Sequence, residues 1–179
     1  MLTPSNIRRK LPWFSLSLAI LAIDQLSKQL AVFWLVYSEP KVFLPFFNFT
    51  LLYNEGAAFS FLSDAGGWQR WFFASIALSV SVLLIAWILR LDDKKRLEIS
   101  GLSLILGGAV GNLWDRLMLG HVIDFVDWYY PAEGSCLYFF YSRSDLQSCH
   151  WPAFNIADSA ILIGVALLIA DSFRKEKTS

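Results

Sequence analysis

Long apolar runs alternate with shorter polar stretches along this chain, and the runs occupy residues 11–31, 69–90, 99–119 and 154–172. A transmembrane helix needs roughly 20 mainly apolar residues, so each run is long enough to cross a bilayer. The pattern therefore predicts a membrane protein with four α-helical spans. We expect residues 1–179 to form one integral-membrane domain, with long connecting segments at 32–68 and 120–153.

Composition agrees with a membrane protein. The chain is 56% hydrophobic and 17% charged, and its mean hydropathy is +0.48. Soluble domains carry roughly 25% charged residues, and the charged fraction of this chain is well below that. The formal net charge of zero argues against a strongly basic nucleic-acid-binding protein. The first run follows Arg8, Arg9 and Lys10 like a secretory signal peptide, but it contains Asp24 and no small-x-small cleavage site follows, which favours an uncleaved span.

Basic residues indicate the orientation of the four spans. They cluster before the first span, between the second and third, and after the fourth, which all lie on one side of a four-span protein. By the positive-inside rule, both termini face the cytoplasm. The segments 32–68 and 120–153 then lie on the extracytoplasmic face, and we expect the functional site there.

The two outer segments differ in character. The stretch "KVFLPFFNFTLLYNEGAAFSFL" is rich in strand-forming residues and predicts a small hairpin or curved sheet. The second segment contains Cys136 and Cys149. Two cysteines in one loop on an oxidising face favour a disulfide, with two free thiols as the alternative. The third span is rich in small residues, which permits close helix packing.

Polar and ionisable residues, which are costly in membrane spans and usually functional, cluster toward the outer ends of the predicted spans. Asp24 and Lys28 lie one helical turn apart and are expected to pair. Asp115 beside Arg116 suggests an ion pair that orients helices. Asp127 has the setting of a solvated loop acid.

A pair of aspartates is the chemistry that these residues favour. His121 and His150 lack metal-ligand spacing, and no Gly-x-Ser-x-Gly elbow or Gly-rich phosphate loop occurs, so we predict neither a metal nor a cofactor. Asp124 and Asp158 each have apolar flanks and no adjacent base. Two carboxylates that share a site hold one proton between them, so one can activate water while the other polarises a carbonyl. The alternatives are a small ion-coupled transporter, which would favour an inverted repeat and acids at mid-span, and a non-enzymatic assembly protein.

Four motifs in order resemble one family. "DQLSK" (24–28), "NEGAAFS" (54–60), "GNLWDRLMLGHVIDF" (111–125) and "FNIADSAI" (154–161) are together similar to the lipoprotein signal peptidases, or type II signal peptidases. The resemblance implies a four-helix membrane bundle with a small extracytoplasmic β-cradle and a mobile outer segment. It also implies an aspartyl peptidase of the bacterial inner membrane that cuts prolipoproteins just before a diacylglyceryl-modified cysteine.

The resemblance also assigns roles to residues. The catalytic dyad falls on Asp124 and Asp158, Asp115 matches a position that looks structural, and the supporting positions are Asp24, Asn54, Gly56, Asn112, Arg116 and Asn155. The three asparagines offer amides for an extended substrate backbone, and Arg116 either binds a lipid ester or phosphate or stabilises helix packing. Expected partners are lipidated prolipoproteins, membrane lipid and cyclic lipopeptide inhibitors such as globomycin. The stretch 129–150, which holds both cysteines, is longer than the corresponding link of the family.

Overall fold

A computed structural model describes residues 4–56, 66–132, 136, 141–143 and 148–176. The part of the motif "NEGAAFS" beyond Gly56 lies outside the described residues. The described chain divides into two compact units. A helical unit takes residues from 1–25, 74–114 and 156–179, and a sheet unit takes residues from 26–73 and 115–155. The single domain over 1–179 stays a prediction.

Within the described residues, four helices are long and apolar enough to cross a membrane. They are α1 (Pro4–Trp34), α2 (Trp68–Arg90), α3 (Arg96–Met118) and α4 (Ile156–Glu176). These confirm the four predicted spans. The fourth begins at residue 156 rather than 154 because the Phe154 backbone pairs with Val126 in an isolated bridge and so cannot adopt helical geometry.

Close contact between helix backbones holds the helical unit together. A Cβ on Gly101 would lie 2.8 Å from the Gly164 carbonyl oxygen, and a Cβ on Gly164 would lie 2.6 Å from the Gly101 oxygen, so α3 and α4 meet where neither has a side chain. This confirms the expectation from the small residues of the third span. Leu84 and Ile88 of α2 form a buried apolar cluster with three residues of α3, namely Ile99, Leu102 and Leu106.

An antiparallel sheet of five strands dominates the sheet unit. The strands are β1 (Lys41–Leu44), β2 (Phe47–Asn54), β3 (Val122–Pro131), β4 (Tyr141–Arg143) and β5 (Ser148–His150). Their order in the sheet is β1-β2-β3-β5-β4. The predicted hairpin is confirmed as β1 and β2. Strand β3, directly after α3, pairs with β2 and extends the sheet, which was not predicted from the sequence.

The described parts of the stretch 129–150 include β5 and β4, which form the far edge of this sheet. Tyr129 pairs with His150 in the β3–β5 ladder, and β4 pairs with β5 outside it. Cys136 and Cys149 are bonded, with their Cα atoms 5.5 Å apart. The favoured disulfide is therefore present, and it ties β5 to the connection that follows β3.

The end of α3 is fixed by a glycine and an arginine. Gly120 adopts a left-handed conformation (φ +89°), and its N–H donates to the Asp115 carbonyl at 3.2 Å, which closes the helix. Arg70 donates to the carbonyls of Arg116 and Leu117, at 2.6 Å each. These contacts satisfy acceptors that a helix end leaves open, and they set where β3 begins.

Candidate active site

The two predicted catalytic aspartates each lie near the start of a secondary-structure element. Asp124 is the third residue of β3, in the sheet unit, and Asp158 is the third residue of α4, in the helical unit. An acid in the first turn of a helix interacts favourably with the helix dipole, which suits Asp158.

Two amides hold the Asp124 carboxylate. Asn54 Nδ2 donates to its Oδ2 at 3.1 Å, and Asn155 Nδ2 donates to its Oδ1 at 2.7 Å. Asn155 also donates to the Ile123 carbonyl at 3.2 Å. Asp124 is 3% exposed and Asn155 is fully buried, so these bonds form away from bulk water. Residues from two of the predicted motifs thus converge on the aspartate of a third.

A tight turn positions Asn54. Its side-chain oxygen accepts from the Gly56 N–H at 3.1 Å, as in an Asx-turn. Arg116 Nη2 donates to the Gly56 carbonyl at 3.2 Å, and its guanidinium lies 5.5 Å from the centre of the Phe73 ring. These contacts support the packing role that the sequence analysis left open for Arg116, and its contact with lipid stays a prediction.

A buried ion pair lies beneath the start of β3. Lys28 Nζ is 2.9 Å from Asp115 Oδ2, and both side chains are almost completely buried. The same Asp115 oxygen accepts the Ile123 N–H at 3.2 Å, one residue before Asp124. The ion pair that the structure shows for Asp115 is therefore with Lys28, and the pairs Asp24–Lys28 and Asp115–Arg116 stay predictions. These contacts support the structural role that the resemblance implies for Asp115, and that role stays a prediction.

The helical unit shows a matching arrangement around Asp158. Asn112 Nδ2 donates to Asp158 Oδ1 at 2.7 Å. Asp24 Oδ1 accepts the Ala157 N–H at 2.9 Å, so a fully buried carboxylate caps the first turn of α4. Gln25 Nε2 lies 3.2 Å from Asp24 Oδ2 and 3.3 Å from the Gly111 carbonyl. Gln25 thus contributes to this arrangement, although it was not among the predicted site residues.

The three asparagines therefore donate to carboxylates. Asn54 and Asn155 hold Asp124, and Asn112 holds Asp158. Contact of these amides with a substrate backbone was the expectation from sequence, and it stays a prediction. In the described part of the chain, no three His, Cys, Asp or Glu residues are grouped so that they could hold a metal ion.

The two histidines occupy different surroundings. His121 contacts the Tyr53 ring, with ring centres 4.4 Å apart. Burial lowers the pKa of His121 below 6.5, against the opposing charges of Asp115 and Glu55. His150 is fully buried and bonds to Asp127 at 2.7 Å.

The interpretation of Asp127 as a solvated loop acid is wrong. Asp127 lies within β3 and is completely buried, and it accepts from Thr50 Oγ1 at 2.6 Å in addition to its bond with His150. Its partners lie 77 and 23 residues away in the chain, so spacing gave no sign of them. The available signal was that Phe125, Asp127 and Tyr129 would lie on one face of a strand, so that Asp127 would share the face of two aromatic residues.

Comparison with known proteins places these motifs in one family. Residues 16–174 match the family model described as signal peptidase (SPase) II. The lipoprotein signal peptidase of Cellvibrio japonicus is 50% identical over 168 residues, covering 93% of this chain and 89% of that protein. The one from Teredinibacter turnerae is 48% identical over 167 residues, covering 93% and 90%.

Solved structures agree with this assignment. A bacterial membrane enzyme determined by the in meso method at 2.3 Å resolution matches with a TM-score of 0.73 and 25% identity, covering 94% of this chain and 91% of that one. A second, determined at 1.9 Å resolution, matches with a TM-score of 0.69 and 27% identity, covering 89% and 91%. The transporter alternative receives no support from these comparisons.

Proposed function

Because the chain belongs to the signal peptidase II family, and is therefore a multi-pass membrane peptidase, we propose that it is an aspartyl endopeptidase. Its substrates are prolipoproteins whose cysteine carries a diacylglyceryl group, and it cuts the peptide bond just before that cysteine. Asp124 and Asp158 are the catalytic pair. The family fixes the class of reaction, and the aspartyl type is our inference from the side chains.

The main observation behind this proposal is the hydrogen bonding of the buried Asp124 carboxylate. A carboxylate that is 3% exposed accepts amide hydrogens at both oxygens, from Asn54 and Asn155. These donors compensate the cost of burying the charge and fix the direction of the oxygens. In the helical unit, Asn112 holds Asp158 in the same way. Only two residues of the chain separate Asn155 from Asp158.

The chemistry of such a pair needs no cofactor. The ionised carboxylate takes a proton from a water molecule, whose oxygen attacks the carbonyl carbon of the scissile bond. The protonated carboxylic acid gives its proton to the carbonyl oxygen, which produces a tetrahedral diol. The acid that took the proton from water then gives it to the leaving nitrogen, while the other carboxylate takes a proton from one hydroxyl of the diol. The carbon–nitrogen bond breaks, which leaves a carboxylic acid on the signal peptide and releases the new N-terminal cysteine. Because the two acids share one proton, they titrate as a pair.

We propose that this reaction occurs at the extracytoplasmic face of the bacterial inner membrane, with both termini in the cytoplasm. The clusters of basic residues support this orientation, and the disulfide supports an oxidising compartment for 120–153. A site at the membrane surface reaches water while the acyl chains of the substrate stay in lipid. Strand β1 exposes Val42, Phe43 and Leu44, an apolar surface suited to the hydrophobic signal peptide or to lipid.

The direct test is cleavage of a lipidated prolipoprotein peptide by the purified protein in detergent, followed by N-terminal sequencing of the product. We expect a new N-terminus at the lipidated cysteine. Asp124→Asn and Asp158→Asn keep the shape of the side chain, so each should abolish turnover while the thermal unfolding temperature stays near that of the wild type. Asp92→Asn, at an exposed acid in the α2–α3 connection, is the matched control and should cleave normally. Turnover at the wild-type rate by either dyad variant would refute the assignment.

A further inference from the structure

A buried chain of hydrogen bonds crosses the sheet and belongs to no motif of the family resemblance. Thr50 Oγ1 donates to Asp127 Oδ2 at 2.6 Å, and the other Asp127 oxygen lies 2.7 Å from His150 Nδ1. His150 Nε2 lies 2.9 Å from Ser148 Oγ. We call these four residues, one from β2, one from β3 and two from β5, the reverse-face chain.

The reverse-face chain is closed to solvent. Thr50, Asp127 and His150 are completely buried, and Ser148 is 5% exposed. Because a carboxylate only accepts, the N–H of His150 Nδ1 donates to Asp127 Oδ1, and Nε2 is in hydrogen-bonding contact with the Ser148 hydroxyl. The Tyr129 ring stacks on His150 with ring centres 5.6 Å apart. A buried charge that lost one of these partners would be left uncompensated, so the arrangement is strongly specified.

The chain lies on the opposite side of β3 from the proposed catalytic aspartate. Asp124 and Asp127 are three residues apart on one strand, so their side chains point to opposite faces. On β2, the register shifts between Phe49 and Leu52, where a bulge places two residues against one. The bulge lets Thr50 bond to Asp127 on one face while Asn54, an even number of residues later, bonds to Asp124 on the other.

The same three segments of the chain supply both faces. Strand β2 carries Thr50 and Asn54, and β3 carries Asp127 and Asp124. His150, at the end of β5, precedes Asn155 by five residues. On the reverse face, the Thr50–Asp127 bond joins β2 to β3, and the Asp127–His150 bond joins β3 to β5. These are the segments that carry, or lie close in the chain to, the residues around Asp124.

From this correspondence we propose that Asp127 and His150 are positioning residues for Asp124, and that β5 acts in the reaction by holding β3 through them. The catalytic part of this inference rests on the proposed function. His150 fixes the Asp127 carboxylate, Asp127 fixes β3 against β2, and this alignment sets the distance from Asn54 to Asp124. The disulfide of Cys149 keeps β5 in place on the opposite side of the strand from His150.

The residue types Ser, His and Asp in this order are those of serine hydrolases. Here, Ser148 is buried rather than presented to a substrate. This trio therefore has no catalytic activity of its own. A fluorophosphonate, which labels activated serines, should leave Ser148 unmodified, and an adduct at Ser148 would overturn the assignment.

The decisive comparison uses two residues of nearly equal size at position 150. His150→Leu removes the donor to Asp127, whereas His150→Asn keeps an N–H close to the place of Nδ1. We expect His150→Leu to lower kcat about 10-fold with KM within about twofold of wild type, since small misplacements of catalytic groups are costly. His150→Asn should recover most of this loss. Glu39→Gln, at an exposed acid of the same unit, is the control and should match wild type.

Hydrogen exchange provides a readout that does not depend on turnover. The amides of β3 from 122 to 128 should exchange faster in His150→Leu than in wild type, His150→Asn or Glu39→Gln. If His150→Leu does not fold, Thr50→Val removes only the hydroxyl donor to Asp127 and should show the same two changes at smaller size. Unaltered kcat and exchange in the variant that folds, or no recovery by His150→Asn, would overturn the proposal. If the wild type does not cleave the lipidated peptide, the proposed function fails, and exchange alone decides whether the reverse-face chain holds β3.

Discussion

The ion pair of Lys28 and Asp115 should be among the most sensitive sites for stability. Both side chains are almost completely buried, with Nζ and Oδ2 2.9 Å apart. Removing one partner of such a pair leaves an uncompensated buried charge and costs about 3–5 kcal/mol. We expect Lys28→Met to lower the free energy of unfolding by that amount. Lys41→Met, at an exposed lysine of the same unit, is the matched control and should change it by less than about 0.5 kcal/mol.

The double variant separates charge from packing. Asp115→Asn keeps a side-chain oxygen that can accept the Ile123 N–H, a bond of 3.2 Å in the native protein. Lys28→Met with Asp115→Asn therefore leaves no charge at the site of this pair and loses no acceptor for the Ile123 N–H. It should cost only about 1–2 kcal/mol, less than Lys28→Met alone. The measurement is unfolding in mixed micelles with a rising fraction of denaturing detergent. Costs that simply add, or a single variant that loses less than about 1 kcal/mol, would refute this reasoning.

Three further predictions concern other parts of the molecule. A Cβ at Gly111 would lie 2.6 Å from Asp24 Oδ2, so Gly111→Ala should displace the carboxylate that caps α4. We expect this variant to lower the free energy of unfolding, measured by thermal unfolding, by about 1–3 kcal/mol and to slow cleavage. Cys136→Ser should lower stability by about 3 kcal/mol in the chain-entropy model and should lower turnover less than His150→Leu does, because the Asp127–His150 bond remains. A thiol-reactive mass tag should label the native cysteines only after reduction, and labelling without reduction would contradict this. Burial lowers the pKa of His121 below 6.5, so its contribution to stability is present above that pH and is lost as pH falls through the folded pKa. In the wild type, protonation of His121 should therefore lower the free energy of unfolding between about pH 7 and about pH 5. His121→Gln should remove this contribution, and a pH profile of stability equal to that of the wild type would contradict the prediction.

The helices could be predicted from the sequence because a membrane span is specified by composition over about 20 residues. The start of α4 was displaced by two residues, since Phe154 is held by a backbone bridge to Val126, a partner 28 residues away that no local pattern reveals. The β1–β2 hairpin was predictable from its strand-forming residues, whereas β3 was not, because its pairing with β2 joins segments about 70 residues apart.

The candidate site divides in the same way. Family motifs named Asp124, Asp158 and their asparagines, but they could not show that the amides would donate to the carboxylates. That arrangement depends on which way each side chain points after folding. Asp127 was misjudged because its surroundings are made by Thr50 and His150, which only the strand register brings to it. A bulge in β2 decides the face of each polar residue, and a one-residue shift of register is invisible to periodicity alone.

The last prediction concerns inhibition and follows from the proposed mechanism. Attack of water on the scissile carbonyl passes through a tetrahedral diol, and an enzyme binds such a species more tightly than its substrate. A hydroxyl that hydrogen-bonds to both of the proposed catalytic acids would mimic the diol by donating to the ionised acid and accepting from the protonated one. Globomycin, a cyclic lipopeptide, should therefore block cleavage, while metal chelators and fluorophosphonates leave it unchanged. Asp124→Asn and Asp158→Asn should each weaken globomycin binding at least about 10-fold, because each loses one hydrogen bond made with a charged or acidic partner. Asp92→Asn, the exposed control, should bind like wild type. Inhibition of cleavage by a chelator, or binding of globomycin to both dyad variants at the wild-type affinity, would show that the two aspartates do not hold the reacting carbonyl.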